Sequence, residues 1–154
     1  MDDRYFMTLA LEQAAASAAE GEVPVGAVIV KDGEVVSFGR NRREYGRNAL
    51  AHAEIEAIDK ACKALGGWRL WQCDIYVTLE PCPMCAGAII NSRIKRVVFG
   101  ASDAKAGSCG SVVNLFELPY NHSPELSGGV MAEECAAQLS EFFKELRQKK
   151  QNDN

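Results

Sequence analysis

A chain of 154 residues, 47% of them hydrophobic and 25% charged, has the apolar material for one self-sufficient domain. That balance excludes a disordered or fibrous protein, and no stretch approaches the ~18 uninterrupted apolar residues of a membrane helix. A net charge of −4 argues against a uniformly basic, nucleic-acid-coating protein.

The charge is nonetheless unevenly spread. Arg40, Arg42, Arg43 and Arg47 crowd one segment, Arg93, Lys95 and Arg96 another, and Lys144, Arg147, Lys149 and Lys150 the C-terminus. Local fields of this kind act independently of the total. The start, Met1-Asp2-Asp3-Arg4-Tyr5-Phe6, lacks the basic opening and apolar run of a secretory leader, so a cytoplasmic location is expected. There the six cysteines stay reduced. Cys62, Cys73, Cys109 and Cys135 stand singly and read as small buried hydrophobes.

In chain order, residues 3–19 have helical spacing, with Phe6, Leu9, Ala10, Gln13 and Ala14 along one side and Gly21 beyond the end. Residues 25–30 form an apolar run that Asp32-Gly33 turns back into a second strand over 34–38, necessarily antiparallel. Residues 40–51 are polar and basic, hence a loop. Ile55, Ile58, Ala61, Cys62 and Leu65 predict a helix over 52–65 that stops at Gly66-Gly67.

Residues 74–79 predict a strand, 83–91 an apolar buried helix, and 96–99 another strand. A small-residue loop over 100–110, a short helix over 112–118 and a brief strand within 125–130 follow. A last helix over 131–150 carries Cys135, Leu139, Phe142 and Leu146 on one side. Residues 1–150 are thus expected to form a single domain, with 151–154 a disordered polar tail. The alternation of strands and helices predicts an α/β fold, a three-layer α/β/α sandwich around a mixed five-stranded sheet.

Two stretches carry chemistry: Ala51-His52-Ala53-Glu54 and Glu80-Pro81-Cys82-Pro83-Met84-Cys85. Pro81 disfavours helix at Glu80, and Pro83 suits a first helical position, which makes Cys82 the cap and Cys85 its neighbour one turn on. A Cys-x-x-Cys alone is compatible with a redox dithiol or a metal site. In mid-helix, residues two apart point about 200° away from each other. His52 and Glu54 therefore share a site only at a helix start. Read together, His52, Cys82 and Cys85 are the expected zinc ligands. Three protein ligands leave a fourth position open, the mark of a catalytic zinc. Glu54 beside them is the expected carrier of a proton from water to a leaving group.

His-x-Glu followed by Pro-Cys-x-x-Cys is the signature of the zinc nucleobase deaminases, which replace an exocyclic amine by oxygen and release ammonia. With Glu22-Val23-Pro24-Val25-Gly26-Ala27-Val28, the stretch from Val77 to Ile90, Arg93 to Lys105 and Gly129 to Arg147, the chain resembles the bacterial tRNA-specific adenosine deaminases of the cytidine/deoxycytidylate deaminase superfamily. The resemblance implies a cytidine-deaminase-like fold, a homodimer, one Zn²⁺ per subunit, and conversion of adenosine to inosine at the wobble position of a tRNA anticodon stem-loop.

By the same resemblance Asn41, Asp103, Lys105, Asn121, Phe142 and Arg147 would contact the anticodon loop. The chain departs from the family pattern at Ala49-Leu50, where a Pro-Thr pair is usual, and at Ser123-Pro124, where an arginine is common. The alternative substrate is a free base or nucleotide of the guanine, cytosine or dCMP type. A non-catalytic RNA-binding module with structural zinc would have no use for Glu54.

Overall fold

The computed structural model describes residues 1–153. Helix α1 (Asp3–Ala19) is followed by strands β1 (Gly26–Lys31) and β2 (Glu34–Arg40), then α2 (Ala53–Leu65), β3 (Cys73–Leu79), α3 (Pro83–Asn91), β4 (Arg96–Ala101), β5 (Glu125–Ser127) and α4 (Ala132–Asn152). The five strands form one mixed sheet in the order β2-β1-β3-β4-β5. β1 runs antiparallel to both β2 and β3, while β3, β4 and β5 are parallel. Both turn residues of the β1–β2 hairpin, Asp32 and Gly33, adopt positive φ (52° and 78°), the conformation that a tight hairpin turn requires.

Alternation along the strands separates two cores. Ala27, Ile29, Ile75, Val77, Val97 and Phe99 face α2 and α3, whose Ala53, Ala57, Ala61, Ala86 and Ile89 complete that layer. Val28, Val30, Tyr76 and Val98 face the other way, onto Phe6, Met7 and Ala10 of α1 and Cys135 of α4. The architecture is therefore the expected three-layer α/β/α sandwich. Cys73, Cys109 and Cys135 are buried and Cys62 half-buried, as small hydrophobes.

Strand direction decides where function can lie. Because β2 and β3 both oppose β1, the C-terminal ends of β2, β3 and β4 and the N-terminal end of β1 meet at one edge. Both α2 and α3 start from that edge. Alanines on α2 let it approach β2 closely: a Cβ on Gly39 would collide with the Ala53 carbonyl and the Ala57 amide nitrogen.

Three elements differ from their expected extents. Only Leu115–Glu117 is helical, as a single 3-10 turn capped by the Asn114 side chain. The preceding residues are held as loop by bonds from the Val112 and Leu115 amides to the carbonyls of Gly107 and Ser108. The fifth strand spans only Glu125–Ser127 within the expected 125–130, stopping where Gly128-Gly129 interrupt it, and Gly128 lies so close to the Phe99 ring that a Cβ would collide with it. α4 continues through Gln151 and Asn152 to its cap Asp153, where a disordered tail was expected. Asn154 lies outside the described residues.

Gly39→Ala is expected to lower unfolding free energy by about 1–3 kcal/mol, the usual cost of overpacking, measured by urea denaturation. Gly67→Ala, with no atom near its would-be Cβ, stays within about 0.5 kcal/mol of the parent. Equal effects would contradict the close α2–β2 packing.

Candidate active site

His52 and Cys82 occupy equivalent places, the N-caps of α2 and α3, in extended backbone conformations (φ −84°, ψ 153° and φ −74°, ψ 174°). Neither side chain caps its own helix. Each instead faces the other, and Cys85, in the first turn of α3, joins them. His52 Nδ1 lies 3.7 Å from Cys82 Sγ and 3.6 Å from Cys85 Sγ. Among the described residues these three form the cluster whose ligand atoms all fall within 4.8 Å of one another.

The spacing has a simple reading. A tetrahedral zinc with Zn–S of about 2.3 Å and Zn–N of about 2.1 Å holds its nitrogen and sulfur ligands about 3.6 Å apart. Two sulfurs and an imidazole nitrogen are also the donor set zinc favours. The residues fit the metal.

Glu54, at the second helical position of α2, is 4% exposed. Because His52 is still extended, the side chains at 52 and 54 escape the divergence of a regular helix. Burial pushes the Glu54 carboxyl up to about 7, against opposing pulls from its own backbone hydrogen bond and the His52 charge. The thiols of the cluster are also displaced. Donation from Cys85, then from the His52 ring, holds Cys82 down at about 4, while the thiol of Cys85 is pushed up by that same pairing and by burial. A shared divalent cation takes both sulfurs as thiolates and the imidazole neutral.

Glu54, His52 and Cys82 open into a cavity of about 180 Å³ whose other walls include Val23, Val25, Asn41, Arg43 and Asp103. Asn41 is buried just beyond β2, where its amide nitrogen donates to Val25 O, its Nδ2 to Val23 O, and its carbonyl accepts from Ser17 Oγ. Its Oδ1 is left without a hydrogen-bond partner. Asp103 stands opposite, on the loop after β4, with Oδ1 accepting from the Lys105 and Ala106 amides.

The fold thus brings His52, Cys82, Cys85, Glu54, Asn41 and Asp103 together. Lys105 is exposed two residues beyond Asp103. Asn121 is exposed ahead of β5, and Arg147 is exposed on the C-terminal half of α4. Phe142, half-buried on that helix, meets Phe143 edge-on at 5.5 Å. None of these four lines the cavity.

Two buried carboxylates escaped the sequence reading of roles. Glu22 accepts from the Glu44 and Tyr45 amides, and Glu80 from the amides of Asp103, Cys109 and Ser111. The signal available for both was a glutamate one or two residues before a proline beside a buried strand, Glu22-Val23-Pro24 and Leu79-Glu80-Pro81.

Residues 1–101 match the model of the cytidine and deoxycytidylate deaminase zinc-binding region. The tRNA-specific adenosine deaminase of Bacillus subtilis (strain 168) is 51% identical over 149 residues, 96% of this chain and 92% of that protein. The chain belongs to the cytidine and deoxycytidylate deaminase family, in its tRNA-specific adenosine deaminase branch. The deaminase is also 47% identical over 150 residues to the tRNA-specific adenosine deaminase of Haemophilus influenzae, 96% of this chain and 87% of that one. A structure solved in a study of A-to-I editing by tRNA:A34 deaminases at the wobble position superposes with a TM-score of 0.84. It is 45% identical and covers 87% of this chain and 98% of its own. The five-stranded mixed sheet is the one expected of this family.

Metal analysis of the purified deaminase is expected to find zinc. His52→Ala and Cys85→Ala should each lose most of it, since two remaining protein donors hold zinc far more weakly than three. Full retention by either variant would remove that residue from the ligand set.

Proposed function

We propose that this chain is a zinc-dependent deaminase that hydrolyses adenosine to inosine at the wobble position of a tRNA anticodon, with release of ammonia. The observation that carries this reading is one narrow cavity holding the carboxyl of Glu54 beside the His52–Cys82–Cys85 cluster. Near full-length identity to tRNA-specific adenosine deaminases supports the choice of substrate.

His52, Cys82 and Cys85 would hold one zinc ion per subunit. Zinc in a three-ligand site supplies Lewis acidity that lowers the pKa of water toward neutrality. Glu54 takes a proton from the attacking water and delivers it to the departing amine, so the hydroxyl replaces the amino group and ammonia leaves. Burial suits it to that task, because it disfavours the carboxylate and so favours taking up a proton.

The cavity admits a base but not a duplex, so the target nucleotide must be extruded from the anticodon loop. A donor on the bound nucleoside satisfies the unpartnered Oδ1 of Asn41. Asp103 and Lys105 meet the neighbouring nucleotides, and Asn121, Phe142 and Arg147 meet the loop farther out. Arg43 on the cavity wall and the exposed Lys105 supply positive charge where phosphates pass.

The active form is a homodimer. Its support is an apolar depression along α3, lined by Ile55, Met84, Gly87, Ile90, Leu115 and Tyr120, with Leu50 57% and Tyr120 55% exposed. The working location is the cytoplasm, where tRNA is found and thiolate ligands stay reduced. Among the described residues no helix is long and apolar enough to cross a membrane.

Incubated with an anticodon stem-loop carrying adenosine at the wobble position, the protein is expected to form inosine, and to sediment at twice its 16.8 kDa chain mass. Glu54→Gln should keep zinc and RNA binding while kcat falls about 10²–10⁴-fold. Turnover of guanine, cytosine or dCMP with none on that RNA would overturn the substrate. Unimpaired turnover by the Glu54→Gln variant would overturn the role of Glu54.

A further inference from the structure

The carboxylate of Glu80 is buried at 2% exposure, two residues before Cys82, yet it faces the loop after β4. Its Oε1 accepts from the Asp103 amide at 3.0 Å and from the Ser111 hydroxyl. Its Oε2 accepts from the amides of Cys109 at 3.0 Å and Ser111 at 3.1 Å. Both oxygens are therefore occupied by donors of residues 103–111, and none of their capacity is left for proton transfer to a ligand. The backbone reinforces the same junction, with the Glu80 amide donating to Ala101 O and the Ser108 amide to Pro81 O. Gly107 completes it, since a Cβ there would collide with the Glu80 carboxyl and the Asp103 carbonyl.

We propose that Glu80 is a positioning residue for substrate selection: its clamp on residues 103–111 fixes Asp103 at the cavity mouth and so sets discrimination among nucleotides beside the target adenosine. This rests on the anticodon reading above. The chemistry of a glutamine makes the point sharply. One of its two terminal atoms would be an NH₂, a donor facing donors. Placed at Oε2 it would oppose two backbone N–H groups, Cys109 and Ser111. Placed at Oε1 it would oppose only one, Asp103, while the Ser111 hydroxyl can turn to accept. Glu80→Gln therefore releases the Asp103 amide selectively.

Zinc-loaded parent and Glu80→Gln proteins are compared on anticodon stem-loops in which the nucleotides flanking the target adenosine are varied, alongside amide hydrogen exchange. The variant is expected to keep its zinc, to raise KM about tenfold with kcat within about threefold, and to flatten the parent's preference among flanking nucleotides. Exchange should quicken at the Asp103 amide and its neighbours within residues 101–111, and nowhere outside that loop. Gly107→Ala, which pushes the loop off Glu80 from the far side without altering the cysteine stretch, should reproduce the same split and serves if the first variant does not fold.

A fall in kcat at unchanged KM, loss of zinc, or an unchanged flanking preference would overturn the proposal. Inactivity of the parent on every stem-loop would instead overturn the substrate reading. The exchange result would then judge the clamp alone: no quickening in residues 101–111 removes it.

Discussion

The convergence of His52 Nδ1 with the sulfurs of Cys82 and Cys85 is the constraint on which the rest of this structure depends. It requires two helices to begin at the same place and to leave their capping positions to residues that do not cap. The sheet meets that requirement by direction. With β1 antiparallel to both neighbours, β2 and β3 end at one edge, and the chain leaves each of them into a helix that starts there. Small residues close the gap. Gly39 against α2 and Gly26 against α1 let backbone approach backbone, so both helices are seated directly on strands.

Around that centre the cavity is walled by loops, which by themselves would be mobile. Two of these loops are tied by buried carboxylates, one just after α1 and one just after β3. Glu22 takes two amides of the loop after β2, and Glu80 takes donors of the loop after β4. Charged acceptors make stronger hydrogen bonds than neutral ones, and a buried carboxylate is tolerable only when such donors surround it. Glu54 is the contrasting case. It is as deeply buried but poorly supplied with donors, so its charge is disfavoured and its pKa rises toward 7. Similar side chains are held charged or pushed toward the neutral form according to how many N–H groups face them.

What could be read from the sequence was what depends on neighbours along the chain. The cap at Cys82, the place of His52 at a helix start and the turn at Asp32-Gly33 follow from short patterns, and they bring the expected ligand set to one place. The three-layer arrangement followed from strand–helix alternation. The roles of Glu22 and Glu80 were not legible, because their partners lie 22 or more residues away and are backbone amides, which any residue supplies. The 3-10 turn at Leu115–Glu117 was over-read as a longer helix for the same reason: Val112 and Leu115 bond back to Gly107 and Ser108, and no local pattern announces that. The last helix was under-read at its end, since polar residues on an exposed helix resemble those of a tail.

The central claim is a three-ligand zinc with an open fourth position, assembled before any substrate arrives. X-ray absorption at the zinc edge of the purified protein tests it most directly. The account predicts two sulfur neighbours at about 2.3 Å and two nitrogen or oxygen neighbours at about 2.0–2.1 Å, of which a single one shows the outer-shell scattering of an imidazole. A first shell of four protein donors, or one without both sulfurs, would contradict it.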